Sequence, residues 1–227
     1  MISLLVPTRE RYDGLTRMGG SALTKSVVPD GVEIVVYIDD DDDTYDELLE
    51  SPGLKDVVTP VRGPRITLSE MWNRCAEHAR GEIFGHMGDD IVFRTYAWDE
   101  LVTNIFAEYD DRIVFVHGRD GIQDGGLGTH GFLHRTWVEA VGYFVPPYFS
   151  SDYNDTWLTE VADMIGRRRY VPELFTEHMH HTVGKAEIDQ NTLDRLKRHA
   201  ADDVDGTYKR LITERRSDAE KLREVMS

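Results

Sequence analysis

Ile2 to Val6 and Val32 to Ile38 are largely apolar runs rich in β-branched residues, the first stopping at Pro7-Thr8-Arg9 and the second at five consecutive aspartates, Asp39 to Asp43. Runs of this length without polar alternation read as strands buried on both faces. Between them Leu15, Met18, Ala22 and Leu23 recur at helical spacing, so the opening predicts β-α-β, the unit of a parallel sheet with a right-handed crossover. A third strand is predicted at Val57 to Val61, ending near Arg62-Gly63-Pro64-Arg65. Thr67-Leu68-Ser69-Glu70 has the spacing of a capping box. Leu68, Met71, Trp72, Cys75, Ala76 and Ala79 then form the apolar stripe of a helix that Gly81 ends.

Ile83 to Met87 reads as a central strand that stops at Gly88-Asp89-Asp90, with Ile91-Val92-Phe93 continuing beyond. An amphipathic helix, Trp98 to Tyr109, and a strand, Ile113 to Val116, follow. Gly118 to Gly131 is rich in Gly and Asp without periodicity, which predicts a long mobile loop. Beyond it the pattern gives a strand at Thr129 to Leu133, helices at Trp137 to Val141 and Asp155 to Ile165, and a short strand at Tyr170 to Leu174. From Asp189 onward Leu193, Leu196, Ala200, Val204, Tyr208, Leu211 and Ile212 mark a helical tail. The expected architecture is α/β, a mostly parallel sheet flanked by helices, with a main domain over 1–188 and a helical appendage over 189–227.

A chain of 227 residues suits one such domain plus an appendage, and 40% apolar residues with 19 glycines match a packed globular protein. The net charge is −16, yet ten basic and ten acidic residues cancel between Lys185 and Ser227, so the deficit lies on the main body. That surface repels phosphodiester backbones and anionic lipid, which argues against non-specific nucleic-acid or membrane binding. Its carboxylate clusters suggest a divalent cation. One cysteine, Cys75, no leader-like segment and no run of 18 apolar residues together predict a soluble, cytoplasmic protein.

In open α/β sheets ligands bind at the carboxyl ends of the strands. The chain's unusual polar residues fall there: Thr8-Arg9-Glu10, Asp39-Asp40, Arg65 and Asp89-Asp90. The order of Val6-Pro7-Thr8-Arg9, Tyr37-Ile38-Asp39-Asp40, the helix Leu68 to Ala79 leading to Gly81-Glu82, and Gly88-Asp89-Asp90 resembles the GT-A type of nucleotide-sugar-dependent glycosyltransferases over roughly residues 1–185. The resemblance implies a Rossmann-like GT-A fold and a divalent metal, Mn²⁺ or Mg²⁺, on the donor diphosphate. Gly88 stands where the family commonly shows its first Asp, so Asp90 is the implied metal ligand, with Asp89 touching ribose or metal. By the same likeness Pro7, Thr8 and Arg9 line the nucleotide pocket, Asp39 accepts from the base, and Arg65 and Asn73 lie over the nucleotide and sugar-diphosphate.

Ser150-Ser151-Asp152-Tyr153-Asn154-Asp155-Thr156-Trp157-Leu158 resembles the family's acidic motif at a helix start, where a carboxylate deprotonates the acceptor; Asp152 and Asp155 both remain candidates. Downstream, Glu177-His178-Met179-His180-His181 places His178 and His180 two apart, on one side of an extended segment. The resemblance makes a late histidine part of the metal shell, His178 before His180, and Lys185 is placed to neutralise phosphate.

The expected function is metal-dependent, inverting transfer of a sugar from a nucleotide-sugar donor to an acceptor hydroxyl on a small molecule, glycan, protein or modified DNA. The short build resembles small bacterial or bacteriophage transferases. Two alternatives are a sugar-1-phosphate nucleotidyltransferase, against which stands the glycine-free loop Pro7 to Arg11, and a non-catalytic nucleotide-sugar or carbohydrate-binding module. The tail is expected to serve stability or self-association, packing on its own domain or pairing in a homodimer.

Overall fold

A computed structural model describes residues 1–50 and 56–227. The opening is β-α-β as the pattern predicts: β1 (Ile2–Thr8), α1 (Tyr12–Lys25) and β2 (Val32–Asp39), followed by a short α2 (Asp46–Glu50) and β3 (Val58–Gly63). Next come α3 (Leu68–His78), β4 (Ile83–His86), β5 (Ile91–Phe93), α4 (Trp98–Ala107), β6 (Phe115–Arg119) and β7 (Gly131–His134). The chain continues through α5 (Arg135–Val141), α6 (Asn154–Met164) and β8 (Arg168–His178). The expected tail is broken into three helices, α7 (Gln190–Ala201), α8 (Val204–Arg210) and α9 (Ile212–Val225).

The eight strands lie in the order β3-β2-β1-β4-β7-β6-β8-β5. β3, β2, β1 and β4 are parallel, β7 enters antiparallel beside β4, and β5 returns antiparallel to β8. Both faces are covered, which is why β1 and β2 carry no polar alternation. One face packs Leu4, Val6 and Val36 against Met18, Ala22 and Trp98. The other packs Leu5, Val35 and Phe84 against Trp72, Trp137, Trp157 and Leu222.

The capping box forms as its spacing predicts: the Thr67 hydroxyl accepts from the Glu70 amide at 3.3 Å and Glu70 accepts from the Thr67 amide at 3.0 Å. β8 runs longer than its apolar core because it pairs on two sides, parallel to β6 and antiparallel to β5, and its last residue, His178, is thereby set opposite Ile91. The loop between β6 and β7 is tied down at its start, where Asp120 Oδ1 accepts from the amides of Ile122, Gln123 and Asp124.

α9 lays its apolar positions on its own body, with Ala219 and Leu222 buried and the Trp157 indole donating to Asp218 at 3.0 Å. Asn73 is spent in the same scaffold. Its side-chain amide donates to the Val145 carbonyl at 2.9 Å, and its oxygen accepts from the amides of Phe144 and Val145 at 2.9 and 3.0 Å.

Asn73→Ala strands three backbone groups at once. It is expected to lower unfolding stability by about 2–3 kcal/mol, read from urea denaturation at unchanged m value, and to leave nucleotide affinity of the folded protein unaltered. Lost affinity at wild-type stability would return Asn73 to the pocket.

Candidate active site

The carboxyl ends of β1, β2 and β4 open into a cavity of about 310 Å³, walled on its far side by α7. At one end Asp39 is buried; its Oδ2 accepts from Arg9 at 2.9 Å, while its buried Oδ1 has no hydrogen-bond partner among the described residues. Burial raises the Asp39 carboxyl above its ordinary range, against the pull of Arg9. Pro7, Arg65 and Arg198 line the same end.

Thr8 lies beneath the next part of the site. The Arg11 amide donates to the Tyr45 hydroxyl at 2.9 Å, Tyr45 donates to Thr8 at 2.6 Å, and Thr8 donates to Asp89 Oδ2 at 2.8 Å. The direction of this relay is fixed, because a backbone amide only donates and a carboxylate only accepts. Arg11 closes the circuit from the side, reaching Asp89 at 3.1 Å and clasping Asp189 through two bonds of 2.7 and 2.9 Å. Burial pushes Asp89 upward, with Arg11 opposing it.

Asp90 points the other way. Its Oδ2 lies 3.2 Å from His178 Nε2, and His178 Nδ1 lies 3.7 Å from Asp120. Burial disfavours a charge on His178, but Asp120 and Asp90 outweigh it and raise the ring to about 9; the same contact holds Asp90 well below the usual carboxylate range, against burial. His130 stands edge-on to His178 at 4.8 Å between ring centroids, and burial with the neighbouring His178 charge pushes it down to about 3. Among the described residues Asp90, His130 and His178 each offer a ligand atom within 4.8 Å of the others.

This group fits a divalent cation. Asp120 lies behind His178, 3.7 Å from Nδ1, on the side from which a carboxylate orients a metal-binding histidine. His130 Nδ1 is buried with no hydrogen-bond partner among the described residues. His180 lies outside the group: β8 ends at His178, the Met179 amide turns back to the Asp90 carbonyl at 2.7 Å, and His180 Nδ1 pairs with Thr182 at 2.8 Å.

Across the cavity Tyr153 holds a left-handed backbone (φ 73°), pinned by its hydroxyl on Asp205 at 2.6 Å and by stacking on Tyr208. That kink starts α6 and separates the two candidate bases. Asp152 is committed on both oxygens, to Arg195 at 2.5 Å and His199 at 2.6 Å. Asp155 accepts through Oδ1 from the Thr156 amide and hydroxyl, lines the cavity, and is pushed by burial up to about 6.

The sequence profile of glycosyl transferase family 2 matches residues 3–208. The chain belongs to glycosyl transferase family 2. It is therefore a glycosyltransferase with a GT-A fold, and the nucleotidyltransferase and binding-module alternatives give way. Its fold is similar to that of the mannosyltransferase PcManGT from Pyrobaculum calidifontis, solved with GDP-Man and Mn²⁺, at TM-score 0.65 and 15% identity over 99% of this chain and 73% of that one. It is also similar to GalNAc-T7 with UDP, GalNAc and Mn²⁺ (TM-score 0.66, 12% identity, 79% of this chain and 44% of that one). S. aureus TarS gives TM-score 0.62 at 13% identity over 77% of this chain, which spans only 36% of the TarS chain. No curated protein matches the sequence. No helix among the described residues is long and apolar enough to cross a membrane.

In this glycosyltransferase the cavity brings together Pro7, Thr8, Arg9, Asp39, Arg65, Asp89, Asp90, Asp152, Asp155, His178 and His180 of the residues expected from sequence. Asn73 serves the scaffold, and Lys185 pairs with Glu177 at 2.7 Å away from the cavity lining. Residues that sequence reasoning passed over are Arg11, His130, Arg195 and Arg198. His130 carries no local signal: it lies forty residues from Asp90 and reaches it because β7 pairs with β4. The arginines of α7 were assigned to a tail expected to take no part in the site.

His199 offers a pH handle on the α7 contact. Burial lowers its affinity for a proton, but Asp152 and Asp205 outweigh this, so its folded pKa is raised. The stabilisation is full below the unfolded pKa of about 6.5 and fades as pH rises through the folded value. Melting temperature should therefore fall faster with rising pH in the wild type than in His199→Asn. Parallel curves would remove His199 from the latch.

Proposed function

We propose that this glycosyltransferase transfers a sugar from a nucleoside-diphosphate donor to an acceptor hydroxyl, with inversion and with a divalent cation. The observation that carries the reading is one cavity lined both by a carboxylate raised to about 6, Asp155, and by the Asp90, His130 and His178 group. The neighbours solved with nucleotide sugars or Mn²⁺ support the same chemistry.

In this reading Asp39 Oδ1 accepts an N–H of the base and Arg9 holds that carboxylate in place. Arg65 and Arg198 face the diphosphate, where the guanidinium fork matches phosphate oxygens. A divalent cation bound by Asp90, His130 and His178 would offset charge on the departing nucleoside diphosphate. Asp155 takes the proton from the acceptor hydroxyl, whose oxygen attacks the anomeric carbon from the face opposite the leaving group, so one displacement inverts the centre. Asp155 suits the task better than Asp152, because a base must keep a lone pair free and both oxygens of Asp152 are engaged by Arg195 and His199. Residues 189–227 then belong to the binding unit rather than standing apart, since α7 supplies Arg195 and Arg198 to the cavity wall.

Asp155→Asn should bind donor nearly as the wild type does while transferring labelled sugar roughly 10²–10⁴-fold more slowly. The wild-type rate should fall as pH drops below about 6, where the base becomes protonated. Full transfer by Asp155→Asn, with the loss found in Asp152→Asn instead, would move the role to Asp152.

A further inference from the structure

We infer that His86, with Thr129 and Ser151, reads the sugar of the donor and selects a neutral sugar with a hydroxyl to donate, an inference that rests on the reading of Asp90 and Asp155 as cation ligand and base. All three residues line the cavity, and each carries a buried polar atom with no hydrogen-bond partner among the described residues: His86 Nε2, Thr129 Oγ1 and Ser151 Oγ. His86 and Ser151 are buried almost completely, at 4% and 1% exposure. Burying a polar atom unpaired is costly, and three around one cavity point to a partner that arrives with the ligand.

The surroundings of His86 set its chemistry. Nδ1 lies 3.3 Å from the Thr129 carbonyl, which only accepts, so Nδ1 carries the proton and Nε2 is left as a bare acceptor. Burial pushes the ring down to about 4, which keeps it neutral. The ring is held against Trp72 at 4.0 Å between centroids, and the Trp72 indole is itself fixed by donating to the carbonyls of Leu5 and Met87, 3.1 Å from each. A fixed acceptor of this kind pairs with a hydroxyl or an N–H and repels a carboxylate oxygen, whereas the hydroxyls of Thr129 and Ser151 can donate or accept. Position decides which part of the substrate they meet. His86 ends β4 just before the turn to Asp90, Thr129 directly precedes His130, and Ser151 lies in the segment that leads to Asp155. The reaction itself puts the sugar between those groups, since its anomeric carbon is bonded to the departing phosphate and is attacked by the oxygen that Asp155 deprotonates.

The test is calorimetric binding of nucleotides and nucleotide sugars to the full chain with Mn²⁺. The probes are UDP, GDP, UDP-glucose, UDP-N-acetylglucosamine and GDP-mannose, with UDP-glucuronate and GDP-mannuronate as acidic counterparts. In the wild type the best neutral sugar nucleotide should bind about 10-fold or more tightly than the uronate on the same base. His86→Asn keeps an amide donor near the place of Nδ1 and removes the acceptor at Nε2. It should weaken the best neutral sugar nucleotide about 10-fold or more while UDP and GDP bind as to the wild type, and His86→Gln, whose carbonyl reaches farther, should recover part of the loss. Parity of uronate and neutral sugar, no loss in His86→Asn, or equal weakening of free nucleotide and sugar nucleotide would overturn the inference while leaving the donor reading standing. So would binding of UDP or GDP with none of the neutral sugar nucleotides bound. Should His86→Asn fail to fold, singly deoxyfluorinated UDP-glucose and GDP-mannose decide the matter on the wild type, because fluorine cannot donate: one ring position should cost about 10-fold, and no costly position overturns the inference. Failure of every nucleotide and nucleotide sugar to bind would overturn both.

Discussion

Two adjacent carboxylates at the end of a central strand set the terms for everything around them. Asp89 is buried and Asp90 partly so just beyond the carboxyl end of β4, and desolvation disfavours the charge on each unless partners are supplied. Successive side chains diverge, so one set of partners cannot serve both. Asp89 is answered by the relay through Tyr45 and Thr8 and by Arg11, and Asp90 by His178 at the tip of β8. The tip of β8, the start of α7 through Arg11 and the turn that carries His130 all meet around these two carboxylates.

What could be read from the sequence divides along physical lines. Local patterns were legible: the buried runs of β1 and β2, the capping box at Thr67 and the stop at Gly88-Asp89-Asp90 all report on neighbours a few residues away. Contacts made by strand insertion were not. His130 belongs to the site because β7 runs antiparallel beside β4, a pairing that its own glycine-rich surroundings do not announce. Asn73 is the converse case, since a polar residue on an otherwise apolar helix face looks the same in sequence whether it meets a ligand or clamps the backbone at Phe144 and Val145. Asp152 and Asp155 look alike in sequence; both line the cavity, but the left-handed turn at Tyr153 separates them, so that Asp152 pairs with Arg195 and His199 of α7 while Asp155 does not.

The protein's net charge of −16 is at odds with a diphosphate ligand only on average. Arg9, Arg11, Arg65, Arg195 and Arg198 all face one cavity, and four of them are engaged by carboxylates of the same chain: Asp39 and Asp41, Asp89 and Asp189, Asp194, and Asp152. Under the proposed function, binding an anionic donor is an exchange of one set of ion pairs for another rather than the creation of new ones. Such an exchange keeps buried guanidinium groups satisfied in both states and makes selectivity depend on geometry more than on charge.

The clasp between Arg11 and Asp189 joins residues 178 positions apart, and α7, which follows Asp189, completes the cavity wall. Closing a contact between such distant residues costs chain entropy that the clasp alone does not repay, so the wall depends on the sheet already holding its ends together. Without α7 in place Arg11 keeps Asp89 as a partner but loses Asp189, and the cavity is open on one side. A cavity closed in this way opens when α7 releases its side-chain contacts, while every strand keeps its partners.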